Sequence, residues 1–349
     1  MATIRQIARA AGVSVGTVSN VLNGNDHVAL VTRERVRAVI QQHNYQPSNV
    51  ARSLSTHRTG TLGLIVSNIS NPFSSELARG AIETAQAAGH GLLVLGAAPD
   101  GLDLPTHVDT LVRQWVDGIL ITSDPLPDSR LSQLACGDTP LVMMDYAQPP
   151  HHNVIGLINF DWEAAGYAAT AHLLQRGHRR IGYIGGILDH PSSRLRALGY
   201  RKALAETGTL ADTTLERGGN FLADGGHQAA RALLDLPDPP TAIVTANDLM
   251  ALGALQAITE RGLRVPNDIS LVGMDDIPYA SFISPPLTTI HLSSYRAGQI
   301  GIQMLLAADR THATLQRIML PTHLVERAST AVAHENLRRT PPQPSLPLS

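Results

Sequence analysis

Cysteine and long apolar runs are nearly absent from this chain of 349 residues. Cys136 is the only cysteine, which excludes an internal disulfide and fits a reducing compartment. No apolar run approaches the roughly 20 residues that a membrane-spanning helix needs. The N-terminal stretch MATIRQIARAAG also lacks the apolar centre of a signal peptide. We therefore expect a cytoplasmic protein without a membrane partner.

Charged residues are also scarce, at 16 % of the chain, whereas apolar residues make up 43 %. This composition allows a sizeable core, and the length suits two or three domains. The first 60 residues contain seven arginines and two acidic residues, whereas the rest of the chain has an acidic excess. A basic first segment favours an arm that binds nucleic acid, although a chance gradient would give the same charges.

The first two helices are predicted from capping signals. Thr3 can cap the first helix with Gln6 as its capping-box partner, and apolar residues then follow at helical spacing. Gly12 can end that helix in a sharp turn, and Ser14 can cap the second helix. Two short helices joined by a tight turn predict a helix-turn-helix, with a plain three-helix bundle as the alternative.

A third helix and a hinge are predicted next. Thr32 can cap the third helix, with Glu34 in its first turn. Pro47 then interrupts the chain, and residues 48–55 form a helix-compatible stretch that is too short to persist alone in water. Residues 57–60 have the composition of a linker.

From Thr61 onward the pattern changes to alternating strands and helices. Strand patterns occupy 62–67, 92–96, 118–122, 141–145, 154–158, 181–185, 242–246 and 269–273. Helical patterns occupy 74–88, 162–176, 194–207, 223–234, 249–261 and 294–308. This alternation predicts parallel sheets covered on both faces, and its length suits two doubly wound units.

The second helix of the helix-turn-helix presents side chains that suit DNA. Asn20 can hydrogen-bond an adenine, and Val15 can contact a thymine methyl group. Small polar residues on either side suit phosphate oxygens. The candidate DNA-contacting residues of this region are Ser14, Val15, Gly16, Thr17, Ser19, Asn20 and Asn23.

An enzyme is the first alternative that the residues disfavour. Residues 12–16 spell the G-x-S-x-G of a hydrolase nucleophile elbow, but that motif follows a strand, whereas a helix is predicted here. His151 and His152 have no further ligands at metal-binding spacing. We expect no catalytic residue, no metal and no cofactor. The second alternative, a solute-binding transport receptor, is disfavoured by the helix-turn-helix and the missing signal peptide.

Several segments together resemble a known family. They are TIRQIARAAGVSVGTVSNVLN, TRERV, NYQPSNVARSL, NPF, RGHRRIGYIGG, RALGYRKAL, TANDLMALGALQAI, GLRVPNDISLVGMDD and PPLTTI. The chain is identified by them as a member of the lactose-repressor/galactose-repressor (LacI/GalR) family, and its headpiece is most similar to the purine-repressor branch. The resemblance covers residues 1 to about 330.

The resemblance implies a homodimeric transcriptional repressor that binds a pseudo-palindromic operator in double-stranded DNA. It places base-reading positions at Val15, Gly16 and Asn20, and Tyr45 at a backbone contact. It places Ala51 and Leu54 in a hinge helix, with Leu54 as a minor-groove wedge. Gly16 departs from the usual pattern because it has no side chain, which leaves the operator sequence open.

The resemblance also implies a periplasmic-binding-protein-like core of two subdomains with an effector site between them. Phe160 and His190 stand where an aspartate and, in the purine-responsive branch, an arginine are usual. These departures favour a carbohydrate effector over a purine or nucleoside. Two assignments stay open, because Asp145 can instead cap a helix and Arg194 can replace Arg196. The implied effector-binding residues are Phe73, Asp145, His190, Ser192, Arg196, Phe221, Asn247 and Asp275.

The predicted organisation is therefore an all-α helix-turn-helix headpiece followed by an α/β core of two doubly wound parallel-sheet subdomains. The predicted boundaries are 1–46 for the headpiece, 47–60 for the hinge helix and linker, 61–330 for the core, and 331–349 for a disordered tail. Within the core, the N-subdomain is predicted at about 61–159 and 291–320, and the C-subdomain at about 160–290 and 321–330.

Overall fold

A computed structural model describes residues 2–22, 27–45, 58–97, 103–122, 136–146, 148–149, 153–187, 190–209, 212–308 and 315–333. The chain divides into two compact units, Met1–Thr61 and Leu62–Ser349. The predicted headpiece boundary at residue 46 and the predicted hinge helix at 48–55 lie outside the described residues.

The first unit contains helices α1 (Ile4–Ala11), α2 (Val15–Leu22) and α3 (Leu30–Gln42). The predicted capping box of α1 is confirmed, because Thr3 and Gln6 each bond the other's backbone N–H. Gly12 ends α1 in the left-handed conformation, with φ at 63°. Ser14 Oγ accepts a bond from the backbone N–H of Thr17, as expected of a cap.

The predicted start of the third helix is wrong. The helix begins at Leu30 after Ala29, so Thr32 lies in its first turn and Glu34 lies beyond that turn. Ala29 occupies the cap position through its backbone alone, and its carbonyl accepts the first helical bond from Arg33. A cap without a side-chain acceptor leaves no signal in the sequence.

The second unit contains twelve strands in its described residues. They are β1 (Thr61–Val66), which begins at the last residue of the first unit, β2 (Gly91–Gly96), β3 (Ile119–Thr122), β4 (Leu141–Met144), β5 (Val154–Phe160), β6 (Ile181–Gly185), β7 (Glu216–Gly218), β8 (Ala242–Thr245), β9 (Ser270–Asp275), β10 (Thr288–Leu292), β11 (Gln316–Leu320) and β12 (Thr322–Val325). Its helices are α4 (Pro72–Ala87), α5 (Leu104–Arg113), α6 (Trp162–Gln175), α7 (Pro191–Glu206), α8 (Ala223–Leu234), α9 (Asp248–Glu260) and α10 (Ser294–Leu306).

The strands form two six-stranded sheets, ordered β11-β5-β4-β3-β1-β2 and β12-β10-β9-β8-β6-β7. We call the first sheet with α4, α5 and α10 the first half of the core, and the second sheet with α6–α9 the second half. The described pairings are parallel except for β10 with β12, which is antiparallel. These doubly wound sheets confirm the predicted fold class.

The chain crosses between the halves three times. It crosses after Phe160, after Leu292 and after Leu320, because β5 and β11 belong to the first sheet whereas β10 and β12 belong to the second. Whether the halves behave as separate subdomains with the predicted boundaries stays a prediction.

Three helix pairs pack closely through reciprocal glycines. A Cβ atom at Gly166 would overlap the carbonyl oxygen of Arg196, and one at Gly199 would overlap that of Glu163, so α6 and α7 approach backbone to backbone. Equivalent pairs join α4 to α10 and α8 to α9, through the glycines Gly80, Gly298, Gly226 and Gly253. Only glycine permits this separation.

Buried side chains of the second unit form two clusters. The larger cluster covers one face of the first sheet and continues through the second half. The smaller cluster lies on the other face of the first sheet under α5. Alternation along β1 divides its residues between the two, because Leu64 belongs to the larger cluster and Ile65 to the smaller one.

The sequence patterns missed some elements, and they placed the start of the disordered tail too early. They missed α5, whose buried residues are Leu104, Val108 and Leu111 and whose second residue is Pro105. The predicted disordered tail is wrong for residues 331–333. The backbone N–H of Ala331 bonds Ser270 Oγ, and that of Ala333 bonds the Arg176 carbonyl. No helix within the described residues has the length and apolarity to cross a bilayer.

Candidate functional site

Helix α2 carries five of the ten predicted DNA-contacting residues. Val15 is 41 % exposed, and Gly16 and Asn20 are also exposed, whereas Thr17 and Ser19 are half-buried. A Cβ atom at Gly16 would contact only Ser14 Oγ, at 3.7 Å, so this part of the surface is open.

Two other DNA-contacting candidates also have partners within the headpiece. Ser14 Oγ and Thr17 Oγ1 hydrogen-bond each other at 2.9 Å, in addition to the cap. Tyr45 is half-buried and packs against the small headpiece core. Asn23, Ala51 and Leu54 lie outside the described residues. Contacts of all these residues with DNA stay predictions.

Arg196 is the centre of the second predicted site. It lies on α7, is only 5 % exposed, and its guanidinium carbon is 3.7 Å from the centroid of the Trp162 ring and 5.3 Å from that of Phe221. The glycine contact between Gly166 and the Arg196 backbone brings these helices together at this point. Arg194, the alternative, is exposed on the same helix.

A short relay of hydrogen bonds fixes one side of Arg196. Its Nη1 donates to Ser192 Oγ at 2.9 Å, and Ser192 Oγ lies 2.7 Å from His190 Nδ1. The backbone N–H of Ser192 also donates to His190 Nδ1, so that nitrogen is an acceptor and Ser192 donates its hydroxyl proton to it. His190 therefore caps α7 and orients the serine that receives Arg196.

Phe221 is held over the site by its backbone. It adopts φ of 62°, and Asn247 Nδ2 donates to its carbonyl oxygen at 2.9 Å. The Asn247 Oδ1 atom caps α9, so both ends of this side chain are engaged. Gly186 leaves room for the Phe221 ring, because a Cβ atom there would overlap the ring. The His190 and Phe221 rings meet edge to face, with centroids 5.7 Å apart.

Two aspartates, Asp275 and Asp248, are buried in the second half, and Asp275 interacts electrostatically with Arg196. Burial raises the pKa of Asp275 well above its usual value; the nearby charge of Asp248 adds to this, and Arg196 opposes it. Burial likewise raises the pKa of Asp248, although the Thr289 hydroxyl and the Ile277 backbone N–H donate to its carboxylate at 2.6 Å and 2.9 Å. Asp275 is the last residue of β9. A buried carboxylate is stable in its charged form only beside a partner that compensates for the lost hydration.

Asp145 and Trp162 connect the first half to Arg196. Asp145 follows β4 with φ of 63°, and its Oδ1 accepts a bond from Trp162 Nε1 at 2.8 Å. The cap of α6 is Asp161, which accepts a bond from the Ala164 N–H. The Asp145 side chain thus bonds an indole, and the neighbouring helix is capped by a different residue.

Phe73 is connected to Trp162 through aromatic contacts. Its ring lies 6.0 Å from that of Phe160 in an edge-to-face arrangement, and Phe160 lies 5.2 Å from Trp162. The structure therefore joins the predicted residues in one group, which we call the inter-sheet cluster. Its members are Phe73, Asp145, Phe160, Trp162, His190, Ser192, Arg196, Phe221, Asn247 and Asp275.

Trp162 is the member that sequence reasoning missed. Its partners are 17 and 34 positions away in the chain, so no local pattern connects them. A signal was available in the pair Phe160 and Trp162, because two aromatic residues enclosing the end of a buried strand are unusual in a chain with 4 % aromatic residues.

Backbone strain is concentrated in the inter-sheet cluster. Within the described residues, the non-glycine positions with positive φ are Asn44, Trp115, Asp145, Phe221, Asp275 and Asp276. Three of these six belong to the cluster. Such conformations persist only where the surrounding structure enforces them, and they are common at ligand sites.

Comparison with known proteins identifies the family. A profile described as "Bacterial regulatory proteins, lacI family" matches residues 3–48, and one described as "Periplasmic binding protein-like domain" matches residues 170–330. The ribose operon repressor of Escherichia coli (strain K12) is 39 % identical over 94 % of this chain and 100 % of its own length. The HTH-type transcriptional repressor PurR of Haemophilus influenzae (strain PittEE) is 38 % identical over 88 % and 90 %.

A solved structure agrees with these relatives. The lac repressor dimer bound to operator and the anti-inducer ONPF superposes with a TM-score of 0.85 at 34 % identity, over 95 % of this chain and 99 % of its own. The headpiece and the two-sheet core thus agree with the sequence matches. The chain belongs to the lacI family of bacterial regulatory proteins, which are DNA-binding transcriptional regulators whose operator affinity is controlled by a small molecule bound in the core.

Proposed function

We propose that this protein is a cytoplasmic, homodimeric repressor whose effector is an uncharged carbohydrate bound by the inter-sheet cluster. The observation that carries the proposal is the buried guanidinium of Arg196, which lies between the Trp162 and Phe221 rings and close to the Asp275 carboxylate. The ribose operon repressor among its relatives supports a sugar ligand.

The chemistry of the cluster suits a sugar. Arginine and aspartate make directional hydrogen bonds to hydroxyl groups, and aromatic faces cover the apolar C–H groups of a sugar ring. Arg196 lies near the buried acid Asp275, whose raised pKa favours its protonated form. A phosphorylated sugar would bring two further negative charges, for which the described part of the cluster holds no second arginine or lysine.

A purine-responsive regulator is the second candidate, because PurR is among the relatives. His190 is less suited than an arginine to bind the oxygen of a purine, since the described contacts use its Nδ1 to orient Ser192. The carbohydrate therefore remains the stronger proposal.

Thermal-shift measurements test the effector class. The full chain is heated with D-ribose, other aldopentoses, aldohexoses, cellobiose, ribose 5-phosphate, hypoxanthine and guanine. We expect a neutral sugar to raise the melting temperature, since a ligand at 100 times its Kd adds about 2.7 kcal/mol to the unfolding free energy. A rise with hypoxanthine or guanine alone, or with the phosphorylated sugar alone, would contradict the proposal.

On the DNA side, we propose that Val15 and Asn20 read bases and that Ser14, Thr17, Ser19, Asn23 and Tyr45 contact the backbone. Ala51 and Leu54 would form the hinge contact in the minor groove.

Selection of duplexes from a random pool by the full chain should return a pseudo-palindrome. Leu54→Ala should weaken binding to that duplex by at least about tenfold and leave binding to random duplex nearly unchanged. Equal weakening on both duplexes would argue against the wedge.

A further inference from the structure

Trp162 makes contacts with both halves of the core. It is the first residue of α6, directly after the first crossing, and it is 4 % exposed. Its Nε1 donates to Asp145, which follows a strand of the first sheet. One face of its ring carries the guanidinium of Arg196, which belongs to the second half.

The indole has little freedom to move. The Phe160 ring packs against it at 5.2 Å and is itself held by Phe73 at 6.0 Å. Rotation of the indole would lose the bond to a carboxylate, which is among the stronger hydrogen bonds in proteins. A displacement of Arg196 therefore changes the contact with a side chain that is anchored in the first half.

We propose that Trp162 is the positioning residue through which occupation of Arg196 is transmitted to the first half of the core, by way of Asp145. This inference rests on the proposed function, since it assumes that the effector binds Arg196. A ligand that engages the guanidinium changes the stacking on the indole, and the indole in turn changes the position of Asp145 at the end of β4. The two halves then respond together to one small molecule.

The substitutions that test the relay remove or weaken one hydrogen bond and keep the fold. Trp162→Phe keeps an aromatic ring for stacking and removes the Nε1 donor, whereas Asp145→Asn keeps the shape of the acceptor and removes its charge. Trp115→Phe is the matched control, because Trp115 is 57 % exposed and lies outside the cluster. The Trp115→Phe protein also leaves Trp162 as the only tryptophan, so its emission reports on the cluster directly.

The measurement is the operator Kd of each full-length protein with and without saturating D-ribose, using the duplex returned by selection. In the control, D-ribose should change the operator Kd by about 5- to 150-fold, the usual range of allosteric coupling. Trp162→Phe and Asp145→Asn should each reduce that ratio to less than about threefold, at a D-ribose concentration that calorimetry shows to saturate that variant. The double variant should lose no more than Trp162→Phe alone, because both substitutions act on the same hydrogen bond.

The outcomes separate this inference from the proposed function. An unchanged ratio in Trp162→Phe with intact D-ribose binding overturns the relay and leaves the proposed function standing. If the unsubstituted protein binds no sugar of the panel, the proposed effector class fails, and the relay is tested on the ligand-free proteins. Equal, non-additive changes of operator Kd in the two single variants then support it, and unchanged values overturn it.

Discussion

The first half of the core brings two aromatic rings and one acid to the inter-sheet cluster, whereas the second half brings the buried charge of Arg196 and the two rings that contact it. Phe73 and Phe160 come from the first half with a single acid, Asp145. Arg196 and Asp275 come from the second half, where Ser192, His190 and Asn247 hold the site by hydrogen bonds. The second half is thus prepared in advance for a polar ligand, and the first half supplies a surface that covers it.

The packing of the halves shows the same difference. The second half has two reciprocal glycine pairs, one on each side of its sheet, and the first half has one within the described residues. The larger apolar cluster nevertheless joins both halves. The hydrogen bonds that fix the cluster therefore lie in the second half, which also has more closely packed helix pairs.

The largest expected effect concerns this packing. Gly199→Ala places a Cβ atom against the Glu163 carbonyl oxygen, and Gly80→Ala does the same against Tyr295. Because backbone cannot yield as a flexible side chain does, each should lower the free energy of unfolding by about 3 kcal/mol. Calorimetry should show one shifted transition for both variants, since one cluster joins the halves. Gly218→Ala, with no neighbour within 4 Å, is the control. Two separate transitions would show that the halves unfold independently.

The next effect concerns the charge of the second half. Arg196→Ala should weaken sugar binding by about 100-fold, since truncating a buried, hydrogen-bonded charge costs at least about 2 kcal/mol. Arg194→Ala, on the exposed side of the same helix, should change the Kd by less than threefold. Isothermal titration of both variants checks this. Similar losses in the two variants would mean that the site does not centre on Arg196.

A third effect is a pH dependence of the free energy of unfolding, which arises in the second half. Burial lowers the pKa of His172 to about 4, and the charge of Arg176 adds to this. Its Nδ1 accepts a bond from Arg176 and its Nε2 bonds Thr330, so the neutral form is the one that fits. The unfolded chain binds a proton near pH 6.5 and the folded chain only near 4, so acidification favours unfolding across this interval.

The expected loss from His172 is about 2 kcal/mol between pH 7 and pH 5. Urea titrations at both pH values measure it, and His172→Gln should flatten the dependence. His90→Gln, at a half-buried position in the first half, should leave it unchanged. A slope that persists in His172→Gln would assign the pH dependence to other groups, of which His178, whose pKa burial also lowers, is the first to examine.

The smallest effect concerns the first half. Phe73→Leu keeps an apolar side chain and removes the edge-to-face contact with Phe160, which is worth about 1 kcal/mol. We expect sugar binding to weaken by about fivefold. A loss as large as that of Arg196→Ala would place the specific contacts in the first half and reverse the comparison.

Local signals predicted much of this molecule. Thr3, Gly12 and Ser14 act within four residues of their own positions, and the helices that they bound were found. Ala29 caps α3 without a side-chain signal, so its start was misplaced. The cluster around Arg196 was predicted from resemblance alone, and Trp162 was missed because its partners meet it only after both sheets have formed.

The three crossings lie side by side and form one narrow ribbon. Phe160 pairs with Leu320 where β5 and β11 leave the first sheet, and Leu292 pairs with Thr322 where β10 and β12 meet in the second. The third crossing therefore lies between the other two. Any relative motion of the two sheets must therefore pass through all three connections at once. Pro321, in the middle of the third connection, has a fixed φ and no backbone N–H, so it stiffens the connection at its centre.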